Sequence, residues 1–453
     1  MINISHKKES ILIFDIFLII LNIVIFMYLV NRGFTLVADS NGYIQNYFLR
    51  TPFYPLLLDL FQFLFHQDSF LLITVFQIIL SFAAVFNLSW TLKKYFHLDK
   101  LTFYIIYFIL LSPVYSPFPY IAQYISNNIA TESITYSLFL ITISLAIKVI
   151  FEPNLKGLVR LFLFSVLTAT VRPQFIFLYV IDVIIILYYF YQIKNFRRTV
   201  ISATYLILFI FLASIFTKTH NFLYHGIFSK VPVTGIQLIT PQLYLSSPAD
   251  IKLFQTAKAK AFLERTYHEM SARQLFKTSS STLEVLAKYH QVYNAICNGV
   301  VRQNDRIRLP LDQFIDLDHL TISIALKLMS THFTEFVDFY LNLIANSIGY
   351  YISGGYGYHG YVTTSMVGYY YIAVLIIQLW LCAYLFLKTR HVVFFAFLFI
   401  TLVHFANYGI IALVEPILLR YSFYTDTLQI AFLVVFLNLI VNKIYNKLLN
   451  FIL

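Results

Sequence analysis

Charge is scarce in this chain. Of its 453 residues, 21 are Asp or Glu, and charged residues of both signs make up 12%. A soluble domain carries about twice that share, which excludes a water-exposed fold for most of the length. Two cysteines, Cys297 and Cys382, exclude a disulfide framework or a cysteine metal cluster. Glycine is also sparse, with 13 in all. Its densest stretch, SGGYGYHGY at 353–361, lacks the Gly-Lys-Ser/Thr that a phosphate loop needs. That stretch reads as an aromatic-rich outer loop at the acceptor entrance, with His359 a candidate substrate contact. No glycine-rich strand–turn–helix for a soluble nucleotide sugar occurs anywhere. The histidines His290, His319, His332 and His404 show no ligand spacing, so no protein metal cage is expected, although a divalent ion without its own ligand set is compatible with the sequence.

What is plentiful is apolar. Hydrophobic residues make up 59% of the chain, and the mean hydropathy is +0.75. Several runs reach about 18 apolar residues, enough to cross a hydrocarbon core of roughly 30 Å. Spans are expected near 11–30, 70–92, 101–117, 129–150, 158–171, 173–191, 199–217, 362–387, 391–411 and 423–441. The fold class is therefore all-α, a polytopic membrane protein of about ten transmembrane helices. Segment 11–30 is too long for a signal peptide and no small-residue cleavage site follows it, so it reads as a retained anchor.

Basic residues orient these spans. Of the 32 Lys and Arg, fifteen fall in alternate loops, from Lys7 and Lys8 to Lys443 and Lys447, and thirteen in the polar stretch 218–340. This alternation places both termini in the cytoplasm. It also accounts for most of the +11 net charge, leaving no nucleic-acid footprint. Four arginines remain, Arg32, Arg50, Arg172 and Arg420, all at non-cytoplasmic span ends. The expected organisation is a transmembrane module at 1–217 with a first outer loop at 31–69, a helical extracytoplasmic region at 218–361, and a second transmembrane module at 362–453. Residues 248–276 show helical periodicity, and 320–351 read as a long amphipathic helix along the membrane.

The outer span ends collect acids and arginines together. Asp39 and Arg50 lie in ADSNGYIQNYFLRTPFYPLLL (38–58), Glu132 in NNIATESITYS, Arg172 before Pro173, and Glu415, Arg420 and Tyr421 in VEPILLRYSFYTD. Charge beside a membrane is costly and usually functional. The planar arginine fork suits phosphate oxygens, and a carboxylate beside a hydroxyl can act as general base. Structural readings stand beside these. Glu132 could favour a helix dipole, Arg32 could snorkel to headgroups, Arg172 could cap carbonyls at the proline break, and Glu415 could pair with Arg420. Asp182 reads as a buried, partnered structural acid. Asp39 has the weakest structural reading: Ser40, Asn41 and Gly42 favour a tight polar turn, with no helix start close behind.

Taken in order, Asp39-Ser40, Tyr43, Arg50-x-Pro52-x-Tyr54-Pro55, Thr131-Glu132, Arg172-Pro173 and Arg420-Tyr421-Ser422 resemble the GT-C-type membrane glycosyltransferases, especially glycosyltransferase family 39 and its bacterial relatives. The resemblance implies a GT-C-like helical fold in a bacterial inner membrane. It also implies a polyprenyl-phosphate-linked sugar donor and a glycan, lipid or protein acceptor. It assigns Asp39 as catalytic base, with Arg172, Arg420 and Arg50 on the donor phosphate. Glu132, Tyr43, Tyr54, Glu415, Tyr421 and His359 would contact substrate. Many relatives carry a second acid beside the base, where this chain has Ser40 and Asn41. Two other classes fit the span pattern: an O-antigen-type polymerase or ligase, and a transporter of lipid-linked glycans.

Overall fold

The computed structural model describes residues 4–116, 124–231, 233–277, 282–301, 311–353, 361–414 and 419–452. Among them the secondary structure is helical throughout, apart from one isolated parallel bridge between Thr35 and Asn128. Seven segments are long and apolar enough to cross a membrane: Phe53–Phe96, Glu132–Phe151, Pro173–Ile193, Phe196–His225, Gly368–Thr389, Val392–Leu413 and Tyr421–Asn442. This is the build of a multi-pass membrane protein.

A helix lies at each of the ten expected spans, but two of them fall short of crossing length. Lys100–Tyr115 has 16 residues, about 24 Å at 1.5 Å per residue, against a core of roughly 30 Å. Leu155–Val171 has 17 residues and carries Lys156 and Arg160. The first helix, Ile4–Asn31, has 28 residues and contains the span expected at 11–30. The difference at 31–69 is larger. This stretch holds two α-helices, Ser40–Ile44 and Phe53–Phe65, and a short 3-10 helix, His66–Asp68. Pro52 stands at the N-cap of the second and Pro55 in its first turn, where backbone N–H groups lack helical partners anyway. The prolines therefore start a helix that the sequence reading leaves as a re-entry loop.

The chain divides into two compact units, each discontinuous in sequence. The first comprises Met1–Val149, Thr170–Arg172 and Leu433–Leu453. Its Ser69–Phe96 helix carries polar side chains along one buried line: Thr74, Gln77, Ser81, Ser89 and Thr91. Ser81 Oγ lies 3.2 Å from Ser133 Oγ and 3.0 Å from Ser137 Oγ, and Thr91 Oγ1 lies 2.7 Å from Ser144 Oγ. Small hydroxyl side chains let two membrane helices approach closely and hydrogen-bond across the contact. The Glu132–Phe151 helix is accordingly mostly buried, whereas Phe196–His225 in the second unit presents its apolar surface outward.

The second unit comprises Ile150–Ala169 and Pro173–Phe432. The polar stretch forms a helical cluster whose core includes Ile239, Leu243, Tyr244, Phe262, Leu263, Tyr289 and Leu343. That core runs on to Tyr408, Ile411 and Ala412 of the Val392–Val414 helix. The expected amphipathic helix at 320–351 is two helices, Leu311–Thr331 and Phe333–Ser353, parted at His332, whose ring pairs with Asp250 at 3.1 Å. Between Phe333–Ser353 and Tyr361–Thr389 the backbones meet so closely that a Cβ on Gly368 would overlap the Ala345 carbonyl. Gly368→Ala is expected to lower stability by about 1–3 kcal/mol through overpacking, read as the thermal midpoint of purified protein. An unchanged midpoint would refute this close approach.

Candidate active site

The site in the first unit is assembled by backbone stitching. Thr35 N–H donates to Asn127 O at 2.8 Å, and Ile129 N–H donates to Thr35 O at 3.0 Å. Asn127 Nδ2 donates to the carbonyls of Leu29 and Gly33 at 2.8 and 2.5 Å. Ser40 Oγ donates to Ile129 O at 2.8 Å. These bonds hold the segment that ends in Asp39 against the segment that leads into Glu132. Gln77 fixes that second segment from behind. It is fully buried, its Nε2 donates to Ser126 O and Asn128 O at 3.1 and 3.2 Å, and its Oε1 accepts from Tyr54 Oη at 3.0 Å. A glutamine satisfied on three sides in an apolar helix is expensive to misplace.

Asp39 is followed directly by a helix, contrary to the tight turn expected for it. It occupies the N-cap of Ser40–Ile44 but makes no side-chain cap bond there. Its carboxylate instead accepts from Arg50 Nη2 at 2.7 Å. Local geometry brings Arg50 back. Asn46 takes a left-handed conformation, φ 51°, and Tyr47 N–H reaches Gly42 O at 2.9 Å. Asparagine tolerates that region better than most residues. Arg50 then lies over the Tyr43 ring, its guanidinium carbon 4.7 Å from the centroid. A Cβ on Gly42 would stand 2.8 Å from Arg50 Nε, so glycine is what admits the guanidinium.

Tyr43 connects this pair to a second one. Its ring meets Tyr54 edge-on at 5.3 Å, and its hydroxyl lies 3.4 Å from Thr131 Oγ1. Arg172 Nη1 donates to the same Thr131 oxygen at 3.4 Å and pairs with Glu132 Oε1 at 3.1 Å. Thr51 Oγ1 donates to Val171 O at 2.9 Å, tying the neighbour of Arg50 to the neighbour of Arg172. The result is a continuous polar chain: Asp39, Arg50, Tyr43, Thr131, Arg172, Glu132.

The two ion pairs differ in exposure. The Arg50 and Asp39 side chains are 29% and 28% exposed, and those of Arg172 and Glu132 are 10% and 7% exposed. Burial acts against the Arg50 cation, but the Tyr43 oxygen and the Asp39 carboxylate outweigh it and hold the guanidinium above its ordinary value. Burial, then the charge of Glu132, push the Tyr43 phenol up, against the pull of Arg50, the Thr131 bond and Arg172. Tyr43 therefore remains a neutral phenol able to donate a hydrogen bond at physiological pH.

The other sequence candidates lie elsewhere. Arg32 is held between two aromatic rings, 5.2 Å from the Tyr28 centroid and 5.6 Å from that of Tyr124, and donates to Tyr28 Oη at 2.8 Å. Arg420 and Tyr421 open the Leu419–Ile452 helix. The Tyr421 carbonyl, in the second unit, accepts from Gln174 at 3.1 Å and from Asn407 at 3.2 Å. His359 and Glu415 lie outside the described residues. Asp182 is buried and accepts from Ser165 Oγ at 3.1 Å. Among the described residues, no group of three or more His, Cys, Asp and Glu could hold a metal ion.

Gln77 is a support of this site that the sequence reading does not name, and Thr131 enters it only beside Glu132, with no role of its own. A lone glutamine within an apolar span was the available signal for the first. A second missed node sits in the other unit, where Tyr408 Oη donates to Asp426 at 2.9 Å with His404 Nδ1 3.9 Å from the same carboxylate.

Removing one partner of a buried pair strands the other charge. Arg172→Gln is expected to cost about 3–5 kcal/mol, and Glu132→Gln combined with it to recover much of that loss. Thermal denaturation of both variants checks this, and additive losses would contradict the pairing.

Comparison with known protein families, with curated proteins and with solved structures gives no match to this chain.

Proposed function

We propose that this protein is an inverting glycosyltransferase that moves a sugar from a polyprenyl-phosphate carrier to an acceptor hydroxyl. The observation that carries the reading is the polar chain from Asp39 to Glu132, which joins a half-buried carboxylate to two arginines through one phenol and one threonine. Asp39 accepts the proton of the acceptor hydroxyl, whose oxygen then attacks the anomeric carbon. The bond from that carbon to the phosphate oxygen breaks, and the phosphate leaves with the electron pair. Arg50 and Arg172 take up the charge that develops on it, the largest electrostatic demand of such a step. Arg420 is assigned to the same phosphate on the resemblance. One displacement inverts the anomeric centre. Tyr54 and Gln77 hold Tyr43 and the 126–131 segment in register, and the donor's tail stays in lipid.

The reading puts the site on the extracytoplasmic face of a bacterial inner membrane with both termini inside, following the distribution of lysines and arginines. Residues 218–361 form its extracytoplasmic helical region. The buried Asp426–His404 pair favours a second reading, transport of a lipid-linked glycan, because ionisable groups inside membrane helices often mark transport pathways. A transporter leaves the sugar–phosphate bond intact, so chemistry separates the two.

Membranes carrying the wild-type chain are expected to transfer label from a polyprenyl-phosphate sugar with inversion. Asp39→Asn, at equal folded yield, is expected to lose about 10²–10⁴-fold in rate. Full transfer by Asp39→Asn would sink the base assignment. Movement of an intact labelled donor without cleavage would favour transport.

A further inference from the structure

Asp39 and Arg50 are bound to each other at 2.7 Å, although the proposed reaction needs the first on the acceptor and the second on the phosphate. An arginine partner stabilises a carboxylate as an anion and so weakens it as a base. The resting pair is thus closed on itself in a way the reaction must undo.

We propose that the Asp39–Arg50 pair is a donor-operated latch: the phosphate of a prenyl monophosphate displaces Asp39 from Arg50, and only then does Asp39 turn to the acceptor hydroxyl. This rests on the glycosyltransferase reading and extends it to the order of binding, donor before acceptor.

Three observations carry it. The Asp39–Arg50 pair is partly exposed while Arg172–Glu132 is buried, so exchange at the first has the smaller desolvation cost. The Arg50 guanidinium is stacked on Tyr43 and backed by Gly42, so it stays in place when its carboxylate partner leaves. Asp39 makes no side-chain cap bond to the Ser40–Ile44 helix, so the start of that helix does not depend on its carboxylate. The donor's phosphate is a singly charged diester that meets the planar guanidinium with two oxygens, and farnesyl phosphate offers the same oxygens with one more charge.

The test is a binding titration of the full chain in lipid nanodiscs. Farnesyl phosphate serves as the probe, with farnesol and inorganic phosphate in parallel to separate tail from headgroup. Asp39→Asn removes the competitor, so it is expected to bind farnesyl phosphate about three- to tenfold more tightly than wild type. Asp39→Glu, which keeps a competing carboxylate, is expected to stay near wild type, and Arg50→Gln to bind more weakly. Binding of farnesyl phosphate by wild type with no tightening in Asp39→Asn overturns the latch and leaves the donor reading intact. Equal tightening in Asp39→Glu and Asp39→Asn also overturns it, because loss of the carboxylate is then not the cause. No binding of farnesyl phosphate or inorganic phosphate by wild type overturns both.

Discussion

A charge at the edge of a low-dielectric medium has to be paired, and that constraint organises the first unit of this protein. Arg172 and Glu132 are both almost fully buried and satisfy each other at 3.1 Å. Neither side chain is tolerable there alone. Their pairing sets where the Leu155–Val171 helix ends against the start of Glu132–Phe151. Thr131, caught between Arg172 and Tyr43, passes that fixed point on to the more exposed Asp39–Arg50 pair. The buried pair fixes position, and the half-exposed pair is the more readily exchanged.

The same logic explains the glutamine. The segment 126–131 lies ahead of a helix, and backbone groups without partners are costly in an apolar surrounding. Gln77 offers two donors to Ser126 and Asn128 and an acceptor to Tyr54. It thereby links the Ser69–Phe96 helix, the Phe53–Phe65 helix and the entry to Glu132. Asn127 plays the corresponding role toward the end of the first helix, through Leu29 and Gly33. In the second unit Asn407 serves Gln174, Tyr421 and Thr425 in the same manner. Amides recur at these nodes because one side chain both donates and accepts without carrying charge.

Much of this was legible in the sequence, and what was missed has physical causes. Counting lysines and arginines by loop isolates Arg32, Arg50, Arg172 and Arg420, because topology assigns every basic residue a default place and these four depart from it. All-helical character follows from hydropathy alone. The helix after Asp39 escaped because Ser40-Asn41-Gly42 has strong turn chemistry, and tertiary bonds from Ser40 to Ile129 decide its backbone instead. The Phe53–Phe65 helix escaped because two prolines read as breakers, whereas at the N-cap and in the first turn they cost nothing. The roles of Gln77, Thr131 and Asp426 escaped for another reason. Their roles depend on partners tens of residues away, and no local pattern encodes those distances.

The account places one phosphate on the two arginines that Tyr43 and Thr131 connect. A structure of the full chain in nanodiscs with a non-cleavable prenyl-phosphate sugar analogue tests this most directly. The account predicts phosphate oxygens within hydrogen-bond reach of Arg50 and Arg172, the Asp39–Arg50 contact broken, and Asp39 turned toward the anomeric carbon. A bound analogue whose phosphate lies away from both arginines, with the Asp39–Arg50 pair intact, would contradict it.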